Sequence, residues 1–232
     1  MPKNNFEIGD IVTLKSHPLA FETDGRMDTA INHIPPFMCI KEVHFERNKL
    51  KYSKELPDTL NADNVKYICT YFNQHRMLFE DQIIYQKMLI SINDITFHSE
   101  SKSNNKDHIT LVEETNLYEI ANYEFGKRVF FKTHKLEKRK KFRTIGFDSK
   151  SNKTIYTHTS PAFILNGIKL NEDKSVFDEK KGKLLKKCSD QLYKVLWYNS
   201  YQEKMSQGYF PQEFFVDNEK IHEILKYSES KQ

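Results

Sequence analysis

The twelve residues Lys-Thr-His-Lys-Leu-Glu-Lys-Arg-Lys-Lys-Phe-Arg, 132 to 143, hold seven lysines and arginines together with His134. A flexible run of this kind meets phosphates, because each cation that neutralises one releases a counterion and adds to a salt-dependent affinity. Lys132, Lys135, Lys138, Arg139, Lys140, Lys141 and Arg143 are the candidate phosphate contacts, and Phe142 is a candidate for stacking on a base. Lys180-Lys-Gly-Lys-Leu-Leu-Lys-Lys187 extends the patch, and Tyr198 and Tyr201 offer further rings. Trp197, inside an apolar run, is assigned to the core instead. A charge run is also what an ordinary solvated loop looks like, so both readings stand at this point.

Other chemistry finds little footing. His17, His134 and His158 lack a second ligand at helical or strand spacing, so neither a metal nor a proton-transfer site is expected. Cys39, Cys69 and Cys188 are widely spaced and embedded in apolar runs, where burial raises a thiol pKa; they read as buried free thiols of a reducing compartment. There is no glycine-rich phosphate loop, and the pairs Glu113-Glu114 and Asp178-Glu179 sit in polar stretches that keep a surface soluble. No enzyme, no cofactor and no small-molecule substrate is expected.

The 17 Phe and 12 Tyr among 232 residues supply ample apolar surface for a core. Residues 1–116 carry 13 Lys and Arg against 17 Asp and Glu, a balance of −4, whereas residues 117–232 carry 23 against 15, a balance of +8. The second half is thus the one suited to a polyanion. The start, Met-Pro-Lys-Asn-Asn-Phe-Glu, lacks the apolar stretch of a secretory signal, and no run approaches the roughly 20 apolar residues of a membrane helix. A soluble, cytoplasmic protein without membrane contact is expected.

The elements that must carry these residues recur. Phe6-Glu-Ile-Gly-Asp-Ile-Val-Thr-Leu-Lys-Ser-His-Pro-Leu19 matches Tyr123-Glu-Phe-Gly-Lys-Arg-Val-Phe-Phe-Lys-Thr-His-Lys-Leu136 at an offset of 117. Pro36 to Ile40 matches Pro161 to Leu165 at 125, and Tyr67 to Asn73 matches Tyr193 to Asn199 at 126. A fourth match sets Phe79 to Ile84 against Phe210 to Phe215. Four blocks in one order read as a duplicated module. Gly9 and Gly126 stand where a turn needs positive φ, ahead of a run whose Ile11, Thr13, Lys15 and Val12, Leu14, Ser16 alternate as in a half-buried strand. Short β-branched and aromatic runs with few helical periods predict small barrels. Residues 48–64 and 169–183 are expected to be hairpin-like excursions at the same place in each copy. A helical turn is expected to open Leu184 to Leu196, and a short amphipathic helix to span Asp217 to Tyr227. The polar stretch 99–107 reads as a linker or loop tip, followed by a strand at Ile109 to Ile120 belonging to either module.

Gly9-Asp-Ile-Val-Thr-Leu-Lys-Ser16, Met38, Tyr71-Phe-Asn73 and Phe79 to Ile83 together resemble the YodC-like family of short uncharacterised bacterial proteins. The copy from Tyr123 departs more, with Lys127 in place of the Asp and Thr133-His134 where Ser16-His17 stand. The resemblance implies single SH3-like barrels and no activity. The expected fold is therefore mainly β, with two tandem SH3-like barrels, long loop excursions and a short C-terminal helix. The expected modules are 1–98 and 109–232, joined by a linker at 99–108. The expected function is non-enzymatic binding, with the basic second module on RNA or DNA and the acidic first module on a protein. The alternative is a protein-interaction adaptor with no nucleic-acid role, working through sheet edges.

Overall fold

The computed structural model describes residues 4–17, 35–45, 65–94, 96–98, 108–110, 119–134, 137–142, 151–156, 160–180 and 182–217, with backbone alone for 96–98, 108–110, 137–142 and 151–156. The fold is mainly β. The first half contributes β1 (Ile11–Leu14), β2 (Met38–Phe45), β3 (Val65–Asn73), β4 (Leu78–Tyr85) and β5 (Leu89–Ser91), followed by β6 (Thr96–His98) and β7 (His108–Thr110). The second half contributes β8 (Arg128–Phe131), β9 (Glu137–Phe142), β10 (Ser151–Tyr156), β11 (Phe163–Leu170), β12 (Val176–Asp178), β13 (Lys183–Cys188), β14 (Gln191–Asn199), β15 (Lys204–Pro211) and β16 (Phe215–Val216). The two main sheets are antiparallel and open, and β6–β7 and β9–β10 form two separate pairs.

In the first half, β4 pairs β3, β3 pairs β2, and β1 lies between β2 and β5. The second half runs β15, β14, β11, β8, β16 in the same order. A 3-10 turn precedes the last strand each time, at Gln86–Met88 and Gln212–Phe214. Gly9 at φ 84° and Gly126 at φ 80° fill the turns that need them. The Gly9 N–H donates to Ile40 O and that of Gly126 to Leu165 O, each at 2.8 Å. Asn73 Oδ1 accepts from the backbone N–H groups of His75 and Arg76, and Asn199 Oδ1 from Gln202, so an Asn closes both β3–β4 and β14–β15 turns.

Two expectations of register and local structure are corrected. The fourth sequence match is out of step: Met77 and Glu203 share the same strained turn position, at φ 55° and 51°. Both turns close across equivalent pairs, Asn73 with Leu78 and Asn199 with Lys204. The offset of 126 therefore persists to the end, placing Phe79 against Met205. Leu184 to Leu196 opens with no helical turn; it is β13 and β14 with a short corner between them. The excursion after β11 is the expected hairpin, β12 on β13, while 48–64 and the helix expected from Asp217 to Tyr227 lie outside the described residues, apart from Asp217 itself. Of the segment Ile109 to Ile120 expected to form a strand, Ile109 and Thr110 belong to β7, which pairs antiparallel with β6, and 111–118 lie outside the described residues.

The halves interlock through one core. Val12, Met38, Ile40, Val43, Val65, Tyr67 and Cys69 form a cluster within the first half. Ile11, Phe37, Cys39, Phe72 and Ile92 point the other way, into the second half's Val129, Phe131, Phe163, Leu165, Val195, Trp197 and Phe215. This is why β1 is not half-exposed as its alternation predicts: both faces are covered, with Ile11 and Val12 alike buried. Phe79 inserts its ring between Phe131, Phe163, Trp197 and Phe210 at 4.1 to 5.8 Å between centroids. Trp197, core as expected, donates its indole N–H to Met77 O at 2.9 Å. Finally β13 lines up on β2, with Lys186 opposite His44 and Cys188 opposite Glu42, so the second half's hairpin extends the first half's sheet.

Candidate nucleic-acid interface

Strand alternation sorts the side chains of β14 onto two faces. Tyr193, Val195, Trp197 and Asn199 are buried inward, so Lys194, Leu196 and Tyr198 stand outward. The register then sets Lys194 opposite Tyr209, Leu196 opposite Gln207 and Tyr198 opposite Met205 on β15, with Ile164 opposite Leu196 on β11. Tyr198 is 53% exposed and Tyr209 43%. The Lys169 ammonium lies 4.6 Å from the centre of the Tyr209 ring and that of Lys194 5.9 Å from it, a cation–π pairing that holds the ring between two positive charges. Lys169 also meets Glu172 at 3.4 Å. Tyr201 stands almost free of the protein in the β14–β15 turn.

The counterpart face in the first half is closed. Cys39, Thr70, Phe72 and Phe79 take the places of Ile164, Leu196, Tyr198 and Met205; Cys39, Phe72 and Phe79 pack against the second half, and Thr70 is buried with its hydroxyl donating to Asp81 Oδ1 at 2.6 Å. The second half therefore keeps open the face that the first half uses for docking.

The basic run divides in the structure. Lys132 is buried, and its ammonium donates to Gly9 O at 3.1 Å across the seam between the halves. Burial pulls its pKa down, opposed by Cys39, Asp10 and Glu213 nearby. Lys132 is thus corrected from a phosphate contact to an internal tie. Lys138, Arg139, Lys140, Lys141 and Phe142 lie on β9, which pairs with β10 in the register Lys138 to Ile155, Arg139 to Thr154, Lys140 to Lys153, Lys141 to Asn152 and Phe142 to Ser151. The run is thus largely a strand rather than a loop. Lys135 and Arg143 lie outside the described residues.

Among the described residues, His17, His134 and the three cysteines are packed into the fold. His17 is fully buried against Phe37, and burial pushes its pKa down to about 4. His134 packs on Phe130 and meets Ser160 Oγ at 3.2 Å. Burial raises all three thiols, Cys39 to about 12, which leaves no thiolate at neutral pH. Among the described residues no group of three His, Cys, Asp or Glu side chains could hold a metal ion, and no helix is long and apolar enough to cross a membrane.

Set against known proteins, the chain matches no family model, no curated protein and no solved structure.

Tyr198 and Tyr201, singled out by the sequence as candidate rings, are both exposed, whereas Lys169, Lys194 and Tyr209 are not among the candidates. The alternation of Lys194 and Tyr198 with buried Val195 and Trp197 was a usable signal. Pairing Lys194 with Tyr209 needed the correct β14–β15 register, which the misaligned fourth block hid.

Proposed function

We propose that the chain is a non-enzymatic binding protein whose basic second half contacts RNA or DNA and whose acidic first half contacts a protein. The observation that carries this is the open outward face of β11, β14 and β15, where Tyr209 stands beside Lys169 and Lys194 and exposed Tyr198 lies further along β14 on the same face. Exposed rings interleaved with cations suit single-stranded nucleic acid, since bases stack on the rings while ammoniums meet the phosphates. The β9–β10 pair adds Lys138, Arg139, Lys140 and Lys141. In its register Lys140 lies opposite Lys153.

The same reading takes the two halves as tandem copies of an SH3-like small barrel. Support comes from the shared strand order, the 3-10 turn before each last strand and the matched glycine and asparagine turns. Kinship with the YodC-like family, a cytoplasmic location and a C-terminal helix belong to this reading too. Fluorescence anisotropy with a labelled 12-nucleotide RNA tests it. Tyr198→Ala and Tyr209→Ala should each weaken binding by about 1 to 3 kcal/mol. Unchanged affinity in both variants, with their folds intact, would remove the face from the account.

A further inference from the structure

The strands β2 and β11 hold the same place in their sheets, and each carries a register shift at the same point, Ile40 to Glu42 and Leu165 to Gly167. Their outer edges differ. On the side away from β3, β2 pairs first with β1 at Met38 and Cys39, then with β13 at Glu42, Val43 and His44. On the side away from β14, β11 pairs with β8 at Phe163 and Ile164. Among the described residues no strand pairs there with Gly167 to Leu170.

The apolar side chains respond accordingly. Val43 is fully buried, whereas its counterpart Ile168 is 44% exposed and Leu170, counterpart of the partly buried Phe45, is 67% exposed. Gly167 replaces Glu42 and leaves the backbone open to close approach by another chain.

We propose that the edge of β11 from Gly167 to Leu170 is a strand-addition site for an extended peptide in which apolar residues alternate with acidic ones, supplied by a protein partner. The occupied counterpart defines the geometry: β13 runs antiparallel along β2, and its Lys186 meets Glu42 Oε2 at 3.1 Å on the outward face. At β11 the charge is inverted. Lys169 stands in the place of His44, Gly167 in that of Glu42, and Lys194 is the outward neighbour across the strand pair. An acidic residue opposite Lys169 therefore replaces the role Lys186 plays on β2, while the apolar residues beside it cover Ile168 and Leu170. Backbone pairing supplies affinity and the alternation supplies selectivity. The edge itself is independent of the nucleic-acid reading, but Lys169 belongs to both, so a bound peptide competes there with RNA.

The test uses the full chain and three fluorescein-labelled synthetic peptides: alternating glutamate and valine, alternating lysine and valine, and a glutamate peptide of equal charge interrupted by prolines. The first should bind and slow amide exchange at Gly167 to Leu170, and the other two should bind roughly tenfold more weakly. Lys169→Glu should reverse the order of the glutamate and lysine peptides. Equal binding of the straight and proline-interrupted glutamate peptides would reduce the effect to bulk charge and overturn the proposal. So would protection that appears elsewhere, or not at all, in the unaltered protein, a readout that holds even if the Lys169 variant misfolds. RNA binding that fails while the peptide binds would sink the nucleic-acid reading alone.

Discussion

Phe79 belongs to the first half by sequence and to the second half by packing. Its ring lies 4.1 Å from that of Phe210, 5.2 Å from Phe131, 5.3 Å from Phe163 and 5.8 Å from Trp197, edge-on to Phe131 and Trp197. Replacing it by alanine removes these contacts and opens a void that rigid strands on both sides cannot close. Large core aromatics cost about 3 to 5 kcal/mol when truncated; because Phe79 is only partly buried, the low end, about 3 kcal/mol, applies. In a chain of this size each kcal/mol shifts Tm by roughly 2 to 4 °C, so Phe79→Ala should lower Tm by about 6 to 12 °C. Calorimetry together with the fluorescence of Trp197, the single tryptophan, should show one cooperative transition before and after the change. Ile83→Ala, on the same strand but 67% exposed, should cost within about 0.5 kcal/mol. A shift below about 2 °C for Phe79→Ala, or two separated transitions in the unaltered protein, would refute the shared core.

Two further perturbations follow from the same seam and core. A side-chain carbon at Gly9 would meet Glu213 Cβ at 2.7 Å and its carbonyl oxygen at 2.9 Å, whereas at Gly126 nothing lies within 4 Å. Both glycines share a positive φ, so Gly126→Ala should cost about 1 to 2 kcal/mol from backbone strain alone, and Gly9→Ala distinctly more by urea denaturation. His17 is held neutral by burial, its pKa falling from 6.5 to about 4. Its contribution is complete above pH 6.5, where the unfolded imidazole is also neutral, and is lost as pH falls from 6.5 to 4 because only the unfolded form then takes up the proton. That loss amounts to about 3 kcal/mol, and His17→Leu should flatten the stability–pH profile over that window.

Much of the framework was legible in residues because its determinants are local. Gly9 and Gly126 announce a positive φ, Asn73 and Asn199 cap their turns, and β-branched and aromatic runs mark the strands. The seam was not legible, since nothing in Ile11, Cys39 or Phe72 distinguishes a side chain facing its own sheet's core from one facing the other half. Lys132 misled for the same reason: a lysine in a basic run reads as solvated until the Gly9 carbonyl is found 3.1 Å away. Leu184 and Leu185, which suit a helical turn, become strand where β13 pairs first with β12, at Leu184 with Phe177, and then from Lys186 with β2, a tertiary override of local propensity. The open face is legible only in part, because its Tyr209 and Lys194 meet through pairing register rather than through spacing in the chain.

The central claim is that the second half binds nucleic acid through phosphate contacts and exposed rings. The most direct measurement is the salt dependence of single-stranded RNA binding to the full chain. With four to six phosphate contacts, log K should fall against log salt with a slope of roughly −3 to −4, and replacing Lys138, Arg139, Lys140 and Lys141 together by glutamine should flatten that slope by roughly 3. No binding at low salt, or a slope untouched by those four replacements, would contradict it.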